Sequence, residues 1–372
     1  MKKYFVMAAL AVSTLTASAQ SVVPKWINNV KLSGFGIVQY TYNGQENNES
    51  NSFNLRLARL ALDGRAFDDW YWKAQIQFNG NTSTLGSSPK LVDLFIEWQK
   101  YDFLRVKAGQ FKNPFTYENP MHPIDQGFMS YSQVISKFAG FSDRAGAHSS
   151  NGRDIGVQLQ GDFLKNASGR NLIHYQVGVF NGQGINVKDV DQQKNIIGGA
   201  WVMPVEGMRL GAFGWIGSYA RKGTSASEGI TNTTLRRLQQ RRYAFSAEYK
   251  VDDWTFRSEY VHSTGYAFAK AMVNTNDASA KDITLSSNGD KSQGVYALVI
   301  APIIKKKCHA KARYDMYQPS KGAEKQRTQY EIGLDYYLNK NICLTGEYAY
   351  IHDRALADPN YSMIDVELSY RF

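Results

Sequence analysis

Apolar and polar residues alternate with period two along most of the chain. Trp70, Trp72, Ala74, Ile76 and Phe78 share one face, with Tyr71, Lys73, Gln75, Gln77 and Asn79 opposite. Val92, Leu94, Ile96 and Trp98 alternate with Asp93, Phe95, Glu97 and Gln99. Ile155, Val157, Leu159 and Phe163 face away from Gly156, Gln158 and Gln160. The chain closes on Ile364, Val366, Leu368, Tyr370 and Phe372, interleaved with Asp365, Glu367, Ser369 and Arg371. After the first twenty residues, no helical apolar stripe of a dozen residues interrupts this pattern. Segments of about ten residues with one greasy face predict membrane-spanning strands rather than a soluble sandwich. We place sixteen near 30–42, 53–66, 70–79, 91–100, 103–112, 154–163, 171–180, 194–204, 207–219, 241–250, 253–262, 292–302, 307–316, 327–338, 341–351 and 362–372.

The connections differ in length. Phe67-Asp68-Asp69, Tyr101-Asp102, Val205-Glu206, Val251-Asp252-Asp253 and Asn339-Lys340 are short turns. Longer loops lie near 43–52, 80–90, 113–153, 181–193, 220–240, 263–291 and 352–361. This sorting predicts an all-β fold: a 16-stranded antiparallel transmembrane β-barrel with short periplasmic turns, long external loops and both termini at the periplasmic side. Segment 53–66 breaks the rule. Phe53, Leu55 and Leu57 share a face on which Arg59 then falls, while Leu60 and Leu62 lie opposite. Either a β-bulge shifts the parity or part of the strand rises above the bilayer.

The N-terminus sets the compartment. Lys2 and Lys3 precede an apolar run from Tyr4 to Val12, and Ala17-Ser18-Ala19 supplies a cleavage site. Residues 1–19 therefore read as a signal peptide, too short to span a bilayer, and 20–372 as one barrel domain. The full chain has 372 residues and a net charge of +10. Removing the signal peptide takes away two lysines and leaves 353 residues at +8. No apolar run reaches the length of a transmembrane helix. Aromatics near the short turns (Phe67, Trp70, Trp98, Tyr101, Phe103, Trp254, Tyr336 and Phe372) suit an interfacial girdle. Cys308 falls on the lipid parity and Cys343 on the lumen parity, so no disulfide is expected between them.

Several segments resemble the phosphate-selective porin O and P family: Ala108-Gly109-Gln110-Phe111-Lys112-Asn113-Pro114-Phe115, Gly152-Arg153-Asp154-Ile155-Gly156-Val157, Tyr175-Gln176-Val177-Gly178-Val179-Phe180-Asn181-Gly182, Ala312-Arg313-Tyr314-Asp315 and Gly333-Leu334-Asp335-Tyr336-Tyr337-Leu338-Asn339. The terminal Phe372 also resembles the assembly signal of outer-membrane barrels. The resemblance implies a sixteen-stranded porin in the outer membrane of a Gram-negative bacterium, a homotrimer surrounded by outer-membrane lipid. It also implies a third loop that folds inward to narrow the pore.

The 41-residue connection 113–153 is far longer than ordinary loops. If it folds inward, Lys112, Lys137, Arg144 and Arg153 sit where the bore is smallest, close to Arg56, Arg59, Arg105 and Lys107. Lys73, Arg257 and Arg313 share the inward parity with Arg105 and Lys107, and acids such as Asp93, Glu97, Glu248, Glu259, Glu331 and Glu347 lie on that face too. Rings of Arg or Lys select anions, and Arg offers bidentate contacts to phosphate. Phosphate-selective members of the family carry arginines at alternate positions down one strand. Strand 207–219 here offers Arg209, with Arg221 beyond it, while Arg236, Arg237, Arg241 and Arg242 cluster mostly in an expected external loop. That cluster could funnel anions or face solvent or lipopolysaccharide. The expectation is passive diffusion of small hydrophilic solutes with preference for anions, phosphate among the candidates. The alternative is a plugged structural or adhesive barrel. The six histidines lack paired metal-ligand spacing, no nucleophile motif occurs, and the basic residues are too scattered for a nucleic-acid face. No catalytic residue, metal or cofactor is expected.

Overall fold

The computed structural model describes residues 24, 26–79, 89–146, 150–225, 230–268 and 291–372. The expected signal peptide lies outside them. Sixteen strands run in order: β1 (Ile27–Asn43), β2 (Ser50–Ala66), β3 (Trp70–Gln77), β4 (Lys90–Tyr101), β5 (Leu104–Lys112), β6 (Arg153–Lys165), β7 (Asn171–Phe180), β8 (Asn195–Val202), β9 (Met208–Ser225), β10 (Ile230–Val251), β11 (Trp254–Thr264), β12 (Lys291–Ile304), β13 (Cys308–Gln318), β14 (Arg327–Asn339), β15 (Ile342–Asp353) and β16 (Asn360–Arg371). Each pairs antiparallel with its sequence neighbours, and β1 pairs with β16, so the sheet closes on itself. Closure leaves no unpaired edge, which is what a β-protein in hydrocarbon requires. Gly34 and Phe372 complete the seam by exchanging backbone hydrogen bonds of 3.1 and 3.0 Å.

The turns at one end are tight. In the β2–β3 turn Phe67 and Asp68 take left-handed φ values of 48° and 63°, and in the β10–β11 turn Asp252 and Asp253 take 48° and 74°. Two consecutive positive φ values match the twist of the flanking strands, and Asp tolerates them better than most residues. Phe67, Trp70, Tyr101, Phe103, Trp254, Tyr336 and Phe372 are exposed at this end.

Segment 53–66 contains a β-bulge. The register passes from Ile37↔Leu57 to Val38↔Leu55, leaving Arg56 as the extra residue. Phe53 and Leu55 point outward, 82 % and 55 % exposed, and Leu57, Arg59 and Ala61 are buried inside. The expected loop 220–240 is a correction: β9 continues to Ser225 and β10 begins at Ile230. The two pair from Thr234↔Gly223 to Tyr249↔Met208, so Arg236, Arg237, Arg241 and Arg242 are strand residues. A strand that rises beyond the bilayer is wet on its outer face, so the greasy half of the alternation disappears there. An eighth loop, 319–326, joins β13 to β14.

Candidate pore and constriction

The 40-residue connection between β5 and β6 turns into the lumen. Its base is fastened at both ends. Asn113 donates its N–H to the Gly152 carbonyl at 2.8 Å, and Asn119 Nδ2 donates to the carbonyls of Asn113 and Gly152. Gly152 sits at φ +69°, and a Cβ there would lie 1.9 Å from Asn119 Oδ1, so a side chain would be strained and would push Asn119 out of place. Farther along, Ser132 caps the α-helix α1 (Gln133–Phe138), accepting the Ile135 N–H at 3.2 Å.

The loop builds an apolar core inside the barrel. Phe115, Tyr117, Phe128, Val134, Ile135 and Phe138 pack against Phe213, Trp215, Ala244, Val261, Tyr296, Leu298 and Tyr317 from β9–β13. Phe115, Val134, Ile135 and Phe138 have no exposed surface. Around this core, inward charges of the same wall serve the loop's backbone. Glu259 accepts the N–H groups of Tyr117 and Glu118 at 2.7 and 2.9 Å. Asp315 accepts the Gln133 N–H at 2.7 Å, and Glu347 accepts the Met129 N–H at 3.0 Å. Arg257, Lys311 and Arg313 donate to the carbonyls of Gln126, Gly127 and Ser130 at 2.8–3.0 Å. Arg242 forms a two-pronged pair with Asp143 at 2.6 and 2.8 Å and donates to the Phe138 carbonyl. These loop N–H and C=O groups thus each meet a charged partner of the wall, as buried polar groups require.

The opposite wall, from β2 to β7, joins the loop's core through Phe111 and Phe180, with Phe95 packed beside them, and is open elsewhere. A cavity of about 280 Å³ lies between it and the loop's Pro114 and Pro120–Pro123. Five of the expected site residues line it: Arg59, Lys73, Lys107, Lys112 and Arg153, with Asp93 the acid among the lining residues. Arg153 pairs with Asp93 through two hydrogen bonds of 2.6 and 3.1 Å. Lys107 pairs with Glu97 at 3.5 Å. The other three have no ion-pair partner among the described residues. Arg59 donates to Gln77 Oε1 at 2.9 Å and lies over the Phe35 ring. Lys112 donates to the Met121 carbonyl at 2.6 Å. Lys73 has no hydrogen-bond partner among the described residues and opens onto the cavity. His122 also lines it, edge-on to Phe35 at 4.4 Å. Burial pushes its imidazole down to about 4 from the ordinary 6.5, with Lys112, Arg371 and Arg59 adding to the effect and Asp125 opposing it.

The remaining candidates lie elsewhere. Arg56 pairs with Glu367 at 2.9 Å, and Arg257 with Glu248 at 2.7 Å; both line a second cavity of about 400 Å³ on the turn side of the loop. Arg105 is held by Asp162. Arg313 is locked to Glu331. Lys137 lies over the Tyr317 ring at 5.8 Å, and burial lowers its pKa. Arg144 donates to Gln240, Ser263 and the Gly265 carbonyl. Arg209 pairs with Glu248 at 3.0 Å beneath the Tyr117 ring. The Arg242–Asp143 clamp was not expected from the sequence. Its signal is parity: Arg242, Ala244, Ser246 and Glu248 share one face, continuous with an inward strand.

No curated protein matches the chain significantly. Among solved structures, the anion-selective porin from Comamonas acidovorans is 14 % identical, covering 92 % of this chain and 99 % of that one at a TM-score of 0.62. The outer-membrane channel DcaP of Acinetobacter baumannii is 14 % identical over 92 % and 97 %, at 0.60. OmpT of Vibrio cholerae is 12 % identical over 92 % and 97 %, at 0.57. At these identities the likeness is one of fold: a closed barrel of the outer-membrane porin type. Residues 33–191, which include the inward loop and most of the open wall, match the family model described as phosphate-selective porin O and P. The first half of the barrel is thus similar to that family, and the fold as a whole is that of an outer-membrane β-barrel.

Proposed function

We propose that this barrel is a passive diffusion channel for small anions, exported by the signal peptide at residues 1–19. Solutes cross between the inward loop and the β2–β7 wall, selected by bore and by field, with no chemical step. One observation carries the reading: cations outnumber acids in that cavity, and Arg59, Lys73 and Lys112 face it without a carboxylate partner among the described residues. Unpaired cations at a narrow place lower the barrier for anions and raise it for cations. Phosphate is one anion this set would accept, through an arginine and two ammonium groups. β9 carries Arg209 and, twelve residues on, Arg221 rather than arginines at alternate positions, and Arg209 is occupied by Glu248, so general anion preference is the reading favoured here. A trimer form is recorded for OmpT, and we propose a homotrimer in outer-membrane lipid.

The test is the reversal potential of the refolded protein in a planar bilayer across a KCl gradient, repeated with phosphate. An anion-signed potential is expected. A cation-signed or zero potential overturns anion selection, and block by low phosphate would raise phosphate from candidate to substrate. Absence of any conductance would favour the plugged barrel, for which the loop's apolar core is the supporting feature.

A further inference from the structure

The outer surface of β9–β13 carries a cationic feature unrelated to the lumen. Register aligns Ala212, Phe245, Tyr260, Val295 and Met316 in one outward row across five strands. The next row toward the loops is Gly214, Tyr243, His262, Gln293 and Gln318. The row after that is Ile216, Arg241, Thr264 and Lys291. On β10, β11 and β12, then, the outward face passes from apolar, through amphipathic rings and amides, to polar and cationic within four residues. That sequence marks the external edge of the hydrocarbon layer. Phe245 and Tyr243 are 57 % and 45 % exposed, and Tyr243 stacks on His262 at 5.2 Å.

Arg241 and Lys291 stand on either side of Thr264, two strand spacings or about 10 Å apart. Both are exposed. Neither has a hydrogen-bond or ion-pair partner among the described residues. Arg237, farther out on β10, is already taken by Asp191, 3.4 Å from its Nε. The outward positions of β11, β12 and β13 hold no Asp or Glu among the described residues, and β10 holds none from Arg237 to Val251. The matching edge on β15 and β16 is neutral, with Tyr350 donating to Asn360 and Tyr348 bonded to Ser362. The external edge of β10–β12 thus carries positive charge that the edge of β15 and β16 lacks.

We propose that Arg241, Thr264 and Lys291 form a binding site for the phosphate of an anionic lipid in the outer leaflet. A guanidinium, a hydroxyl and an ammonium stand side by side on three neighbouring strands and offer donors to several phosphate oxygens. The acyl chains of the same lipid lie along Phe245, Tyr260, Val295 and Met316. The site opens sideways into the bilayer, so a lipid reaches it by diffusion in the membrane. This site is independent of the channel reading, and its test reads no conductance.

The protein is placed in phosphatidylcholine nanodiscs containing a small fraction of lipid A, and retained lipid A is counted by native mass spectrometry. The variant Arg241→Gln/Lys291→Gln should lose lipid A about tenfold or more, since each basic residue at a membrane surface contributes about 1 kcal/mol. Lys100→Gln/Lys340→Gln, exposed near the short turns, removes the same charge and should retain it. Heat-modified gel migration confirms that each barrel is folded, and Arg241→Gln alone should fall between. Equal retention by the double variant overturns the proposal, as does equal loss in the control. Displacement of lipid A by equimolar inorganic phosphate would also overturn it, identifying a free-anion site instead.

Discussion

The two inner walls of this barrel are built from the same residues and do different work. On β9–β15 almost every inward charge ends on the third loop or on a neighbour that does: Glu259, Asp315, Glu347, Lys311, Arg313, Arg257 and Arg242 all contact its backbone or its acid. On β2–β7 the inward cations are only partly neutralised, and three of them meet open space. What separates the walls is what lies against them. A charge facing a folded segment is an anchor. The same charge facing water sets a field.

The largest effect expected comes from breaking the covered wall. Arg242 and Asp143 are both almost fully buried. Truncating Arg242 takes the two-pronged cation away from a buried carboxylate, at a cost of about 3–5 kcal/mol. Arg242→Ala should free the helical end of the loop, raise single-channel conductance and expose 113–152 to protease. Phe138→Ala acts on the same segment through lost packing, also about 3–5 kcal/mol. A loop that stays protected in both variants would show that these contacts do not hold it in place.

The next effect is a pH dependence from His122, which sits where the two regions meet. Its folded pKa, about 4, lies below the ordinary 6.5 because burial disfavours the cation. A depressed imidazole keeps the packed loop neutral while a released loop would take up a proton. Packing is therefore at full strength above about pH 6.5 and weakens as pH falls toward 4, by at most about 3 kcal/mol. Below that the imidazole charges in place beside Lys112 and adds to anion attraction. His122→Phe should abolish both changes between pH 7 and 4, measured as conductance and reversal potential on the same channels. Persistence of the pH response in that variant would assign it to other groups.

Much of this architecture is legible in the sequence. Period two, short turns against long loops, and the terminal Phe372 all act locally, and so they marked the strands, the closure and the barrel's orientation. The bulge at Arg56 was visible as a parity conflict because one extra residue swaps faces for the rest of a strand. The extended β9–β10 hairpin was missed, since above the bilayer both faces are polar and the greasy stripe vanishes. The roles of the inward charges were not legible either, because the partner of Arg242 is Asp143, on a different element. One signal was present. Val295 to Pro302 is nearly continuous apolar sequence, and a porin strand facing water on its lumen side should alternate. Such a run says that something apolar covers the inside, and here the loop does.

The smallest effect separates the walls most cleanly. Lys112→Glu reverses a charge that lines the cavity and has only a backbone carbonyl as partner. In a water-filled lumen contact electrostatics are worth about 1 kcal/mol, so the anion-to-cation permeability ratio should fall on the order of fivefold. Arg105→Glu makes the same charge change on the same strand. Arg105 is already neutralised by Asp162 and does not line the cavity, so its effect on the ratio should be much smaller. A reversal at Arg313, locked to Glu331 beneath the loop, should alter conductance through loop release rather than selectivity. Equal shifts in reversal potential at Lys112 and Arg105 would mean that the lumen averages its charges and that the division into anchors and field does not govern permeation. A shift at Lys112 alone would place the selecting step on the open wall.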